Sequence, residues 1–251
     1  MASTSETGHD KNIANFDRLI SFCQGYGATY NPSKNSLKIP QLQTQIASIK
    51  VNNTAVTNTS IAYNVAVNTR MTAFKDLAKL CTRLVNALDV TSASKELVRD
   101  AKTVNAKVSS GGKLTKADAG KNAAPDPNAP VVETPKTIST SQRSYDNLIA
   151  HFAKLIAILS TEATYLPNEN DLKIATLNTQ LTNLKNVNTA VANTYTTVSN
   201  ARISRDASMY NPTNGLIQTS KEVKGYVKSV FGASSAQYKQ ISGLEFKTIK
   251  K

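Results

Sequence analysis

From Ile174 to Met209 the apolar positions alternate spacings of three and four without a break, through Leu177, Leu181, Leu184, Val191 and Val198. The same spacing runs from Ile39 to Phe74 through Leu42, Ile46, Ile49, Val56 and Val67. Such a seam is the mark of a long helix packed lengthwise in a bundle. Two of its layers are polar in both stretches: Asn53 and Asn188 in the middle, Arg70 and Arg205 near the end. An isolated asparagine on an apolar seam lowers stability but fixes register and partner, so these four residues are expected to form a structural polar seam. The competing reading is a buried ligand site. Arg205 has Asp206 beside it and Arg70 has Asp76 nearby, so each guanidinium is expected to close a bundle end on a carboxylate or on terminal carbonyls.

Shorter apolar-periodic segments flank the long ones. Ile13, Phe16, Leu19, Ile20 and Cys23 predict a helix over about 11–24, and a counterpart is expected over about 142–161. Asn31-Pro32-Ser33 and Leu166-Pro167-Asn168 then read as turns. Tyr210-Asn211-Pro212-Thr213-Asn214-Gly215 stops the second long helix. A helix over 216–230 follows, closed by Gly232, and a last short helix opens at Ser234 or Ser235. In the first half a helix over 76–88 and another capped by Thr91 or Ser92 are expected, but neither Pro nor Gly marks the turn before residue 76.

The two patterns are copies of one another. A shift of 135 places 13 of the 23 residues from 37 to 59 on identical residues, where chance gives roughly one or two. The expected architecture is therefore all-α: a tandem duplication of an antiparallel four-helix bundle, each with one long central helix. The first bundle spans 11–108 and the second 141–247. Between them, 109–140 carries Gly111-Gly112 and four prolines and reads as a linker, with Ala129-Pro130-Val131-Val132 as a possible binding peptide inside it.

Composition changes this picture little. The 251 residues carry a formal charge of +13 and no tryptophan. Basic excess raises the question of nucleic acid or acidic lipid. However, residues 1–110 and 141–251 each hold 13 basic and 7 acidic side chains, and no run resembles a basic arm. Lys221, Lys224 and Lys228, at helical spacing, form the one candidate basic interaction face, with Lys247, Lys250 and Lys251 beyond it; a solvated face is the alternative. Tyr210, Tyr226, Phe231 and Tyr238 lie near those lysines and would either stack on bases or seal a bundle end. Cys23 and Cys81 are expected to be buried thiols. No signal sequence or membrane span is read, which implies a cytoplasmic protein.

No catalytic, cofactor or metal constellation is read. His9 and His151 are the only histidines, and they are expected in a frayed tail and on a half-buried helix face. Gly25-Tyr26-Gly27 lacks the strand and the Gly-Lys-Ser/Thr of a phosphate loop. The C-terminal pattern Val223-Lys224-Gly225-Tyr226-Val227-Lys228-Ser229-Val230-Phe231-Gly232, followed by Tyr238-Lys239-Gln240-Ile241 and Gly243-Leu244-Glu245-Phe246, resembles a family of uncharacterised helical proteins of Bacteroidetes-type bacteria. That resemblance covers about 145–247 and implies a bacterial source and a helical fold, with no activity attached. The expected function is a non-catalytic structural or interaction protein that forms homo-oligomers, in rings or filaments, through its duplicated bundles. The alternative is a nucleic-acid-associated protein binding through its lysine faces.

Overall fold

The computed structural model describes residues 8–109 and 144–249. The linker reading for 109–140, with the peptide at 129–132, falls outside the described residues apart from Ser109, as do Lys250 and Lys251. All regular structure among the described residues is helical: α1 (His9–Gly25), α2 (Ile39–Phe74), α3 (Leu77–Asp89), α4 (Lys95–Ser109), α5 (Tyr145–Ser160), α6 (Ile174–Tyr210), α7 (Leu216–Phe231) and α8 (Ala236–Ser242). The two long seams are continuous helices of 36 and 37 residues. None of the helices among the described residues is long and apolar enough to cross a membrane.

Local sequence sets the helix ends. Ser144 accepts from the N–H of Asn147 at the start of α5, and Ser235, rather than Ser234, accepts from Tyr238 at the start of α8. The cap of α4 is Ser94, whose hydroxyl accepts from Leu97, while Thr91 instead donates to the carbonyl of Leu88. Between α2 and α3 only Lys75 and Asp76 intervene. Asp76 sits at φ −104°, ψ 6°, a conformation that any residue adopts, which is why no glycine or proline marks that turn. Gly232 after α7 has φ +88°, ψ 153°, a region that glycine alone enters freely. Before each long helix a tyrosine anchors the loop in the same way: Tyr30 donates to the carbonyl of Leu37 at 2.8 Å and Tyr165 to that of Leu172 at 3.0 Å.

Packing divides the described residues into two units, and the divisions fall after Val65 and after Ala192, inside α2 and α6. In the first unit, α1 packs on α7 and α8. Its core joins Phe16, Leu19, Leu42 and Ile49 to Met209, Leu216, Val223, Val227 and Ile241. In the second unit α5 packs on α3 and α4. There Leu84, Leu88, Ala101 and Val104 meet Phe152, Leu155, Leu177 and Leu184. The partition expected from the sequence, 11–108 against 141–247, is therefore not the one the cores follow, since each core takes side chains from both stretches.

Helix length explains the difference. At 1.5 Å per residue α2 is about 54 Å long, whereas α1 and α3 are about 26 Å and 20 Å. Helix α1 runs back over the first part of α2, and α3 starts where α2 ends. Neither short helix can cover the whole of α2, and each core is completed by segments from the other stretch.

Candidate functional site

The four seam residues are placed as follows. Asn53 donates to Asp10 at 2.7 Å, and Asn188 donates to Asp146 at 2.8 Å, so each asparagine ties its long helix to the first turn of a short one. Arg70 and Asn188 are brought together: the Arg70 Nη1 donates to the Asn188 Oδ1 at 3.0 Å. The guanidinium also lies 4.0 Å from the centre of the Tyr145 ring, which in turn meets Phe74 edge-on. Arg70 thus does not take Asp76, which pairs with Lys79. A planar cation that can stack on an aromatic face and reach an amide oxygen has no need of an exposed carboxylate. Its Nε is buried and has no hydrogen-bond partner among the described residues. Arg205 does pair with Asp206, through Nε at 3.0 Å and Nη2 at 2.8 Å.

The lysine row is not one uniform solvated face. Lys221 and Lys228 are exposed, but Lys224 is half-buried and its ammonium donates to the carbonyls of Ser242 and Leu244, at 3.1 Å and 2.5 Å. Burial holds Lys224 below the usual lysine range, and the nearby Glu245 carboxylate opposes that shift. Lys228 lies 5.9 Å from the Tyr238 ring centre. Three other aromatics of the second half turn toward the N-terminal helix and its loop. Tyr226 meets Tyr30 edge-on at 5.3 Å, Phe231 meets Tyr26 at 5.3 Å, and the Tyr210 hydroxyl lies 2.7 Å from Nδ1 of His9. His9, expected in a frayed tail, is the first residue of α1.

The arrangement that sequence reasoning missed is a strap. Residues 243–249 leave α8 without regular structure and are held on α1 and α7 by hydrogen bonds to their backbone and by the side chains of Leu244 and Phe246. Asn12 donates to the carbonyl of Lys247 at 2.8 Å and accepts its N–H at 3.1 Å. Asn15 donates to the carbonyl of Glu245 at 2.8 Å, and Lys224 holds Leu244 as above. Leu244 enters the core. A groove of about 430 Å³ opens beside the strap, lined by Lys221, Lys224, Leu244, Phe246 and Lys247 among others. The available signal was two asparagines, Asn12 and Asn15, on the apolar face of a helix. Both are buried, and buried amides demand partners.

Replacing Asn12 with Ala removes two hydrogen bonds worth about 1 kcal/mol each. The expected result is a destabilisation of about 2 kcal/mol together with faster carboxypeptidase trimming of the C-terminus. Unchanged trimming would show that Asn12 does not hold the strap.

The remaining reactive groups are quiet. Cys23 and Cys81 are free and buried. Burial pushes both thiols up to about 12, opposed in Cys23 by a hydrogen bond with Tyr30. Burial, then Lys107 and Lys154, hold His151 below its ordinary value, and its buried Nε2 has no partner among the described residues. Among the described residues no three His, Cys, Asp or Glu side chains are grouped to hold a metal ion. The class defined by this geometry is an all-α protein with two long, polar-seamed helices and a backbone-held C-terminal strap. No family model, curated protein or solved structure matches the chain.

Proposed function

We propose that the protein is a non-catalytic structural or interaction protein, a duplicated helical module that self-associates. The observation that carries this reading is the apolar surface left on the long helices. Val51, Ile61 and Val65 on α2 are 68 %, 57 % and 58 % exposed, and Tyr195 and Ile203 on α6 are 59 % and 60 % exposed. Ile61 and Val65 stand four apart and share a helix face. Full burial of side chains this size is worth about 1.5–3 kcal/mol each, so a second copy covering that face gains appreciably. The repeat supplies the reason for a self-partner: two similar stretches present two similar surfaces, and contacts between unlike ends propagate into rings or filaments.

Light scattering coupled to size-exclusion chromatography tests this directly. The mass is expected to rise with protein concentration, and a double substitution of Ile61 and Val65 with Lys is expected to return it toward the monomer. A strict monomer at high concentration overturns the proposal. The nucleic-acid reading draws less support, because Lys224, the middle residue of the lysine row, is spent on the protein's own backbone.

A further inference from the structure

We infer that, besides the exposed apolar face of its long helices, this chain has a second route to pairing with a copy of itself: the seam between its own two sequence halves. Residues 8–109 of one copy would pack with residues 144–249 of another. The inference rests on the reading that this chain pairs with copies of itself, and adds a second way of doing so.

The first unit is joined across that seam at every level. The rings of Tyr26 and Tyr30 meet Phe231 and Tyr226. Lys34 pairs with Glu222 at 2.6 Å. Gln45 donates to the carbonyl of Asn214 and to the Thr219 hydroxyl. In the second unit α5 packs on α3 and α4, again one half against the other. Neither half closes a core by itself: the first supplies part of both clusters, and so does the second.

The covalent tie between the halves is residues 110–143. The contacts are the same whether the two halves belong to one chain or to two, so exchange creates no new interface and loses none. The choice is set by concentration. A tether raises the local concentration of the attached half to roughly millimolar, and a neighbouring chain competes when protein is comparably concentrated during folding. Native chains exchange slowly, because both cores must open first.

The experiment uses the full chain in unlabelled and ¹⁵N-labelled forms. They are unfolded together, refolded at high concentration, and separated into monomer and dimer. Each fraction is then treated with a carbodiimide. The reagent activates the Glu222 carboxyl, the Lys34 amine attacks it to form an amide, and the reagent leaves as its urea, having taken up the oxygen. Mass spectrometry of the digest reads whether the linked Lys34 and Glu222 peptides carry the same isotope.

The monomer is expected to give same-isotope pairs only. The dimer is expected to give mixed pairs in as large a share as the two same-isotope forms together. Glu222→Gln removes the linked peptide from both fractions and confirms its assignment. A dimer with only same-isotope pairs overturns the exchange while leaving self-association standing. The absence of any dimer overturns both.

Discussion

Phe16→Ala is expected to unprotect helices that lie some two hundred residues away in sequence. Phe16 is fully buried in a core shared with Leu216, Ile217, Val223 and Val227 of α7. Removing a buried phenylalanine costs about 3–5 kcal/mol, the transfer of the lost atoms plus the cavity left behind. Native-state hydrogen exchange should therefore quicken by roughly two to four powers of ten in α1, α7 and α8. Amides of α3 and α4, which belong to the other unit, should change far less. Phe152→Ala is expected to do the reverse, since Phe152 is fully buried with Leu84, Leu88, Ala101 and Val104. If each sequence copy were its own bundle, Phe16→Ala would instead unprotect α3 and α4. The pattern of protection thus tests the packing division independently of any assembly.

Gly215→Ala is the second large effect expected, and its cause is space. Gly215 has φ −70°, ψ 160°, a backbone conformation open to any residue. A Cβ there would lie 2.5 Å from the Asn211 nitrogen, 2.6 Å from the Asn211 oxygen and 2.9 Å from the Met209 oxygen. All three are backbone atoms of a turn already coiled tightly. The Asn211 side chain accepts from the N–H groups of Thr213 and Asn214, and Gly215 donates to the Asn211 carbonyl at 2.9 Å. Moving the turn drags Met209 and Leu216, both fully buried. The cost is expected at the top of the range of about 1–3 kcal/mol for overpacking, a fall in Tm of roughly 6–12 °C. Gly225→Ala serves as the contrast. It lies within α7 with nothing within 4 Å of the added carbon, and is expected to stabilise by about 0.4–1 kcal/mol. Equal effects at the two glycines would refute the steric account.

The candidate site was legible in part. Asn53 and Asn188 stood out because a polar residue on an apolar seam is conspicuous, and both do tie helices together through aspartates. Arg205 with Asp206 was visible because the partners adjoin in sequence. The partner of Arg70 was not, because Asn188 and Tyr145 are brought to it by folding alone. The strap escaped notice for a related reason. Its hydrogen bonds are made to backbone atoms of residues 242–247, and a backbone carbonyl leaves no trace in the identity of the side chain attached to it.

Sequence by itself determined that the protein is helical, where the long helices run, and that their seams contain polar layers. These are local properties, written in spacings of three and four residues, in caps, and in glycine and proline stops. Only the tertiary structure decided which helix covers which end of α2 and α6, and hence that each core draws on both halves of the chain. Apolar faces of similar width are interchangeable to a periodicity argument, because burial is non-directional. What distinguishes them is reach: a helix of about 26 Å covers only half of one of about 54 Å, and that geometric fact exists only once the chain has folded.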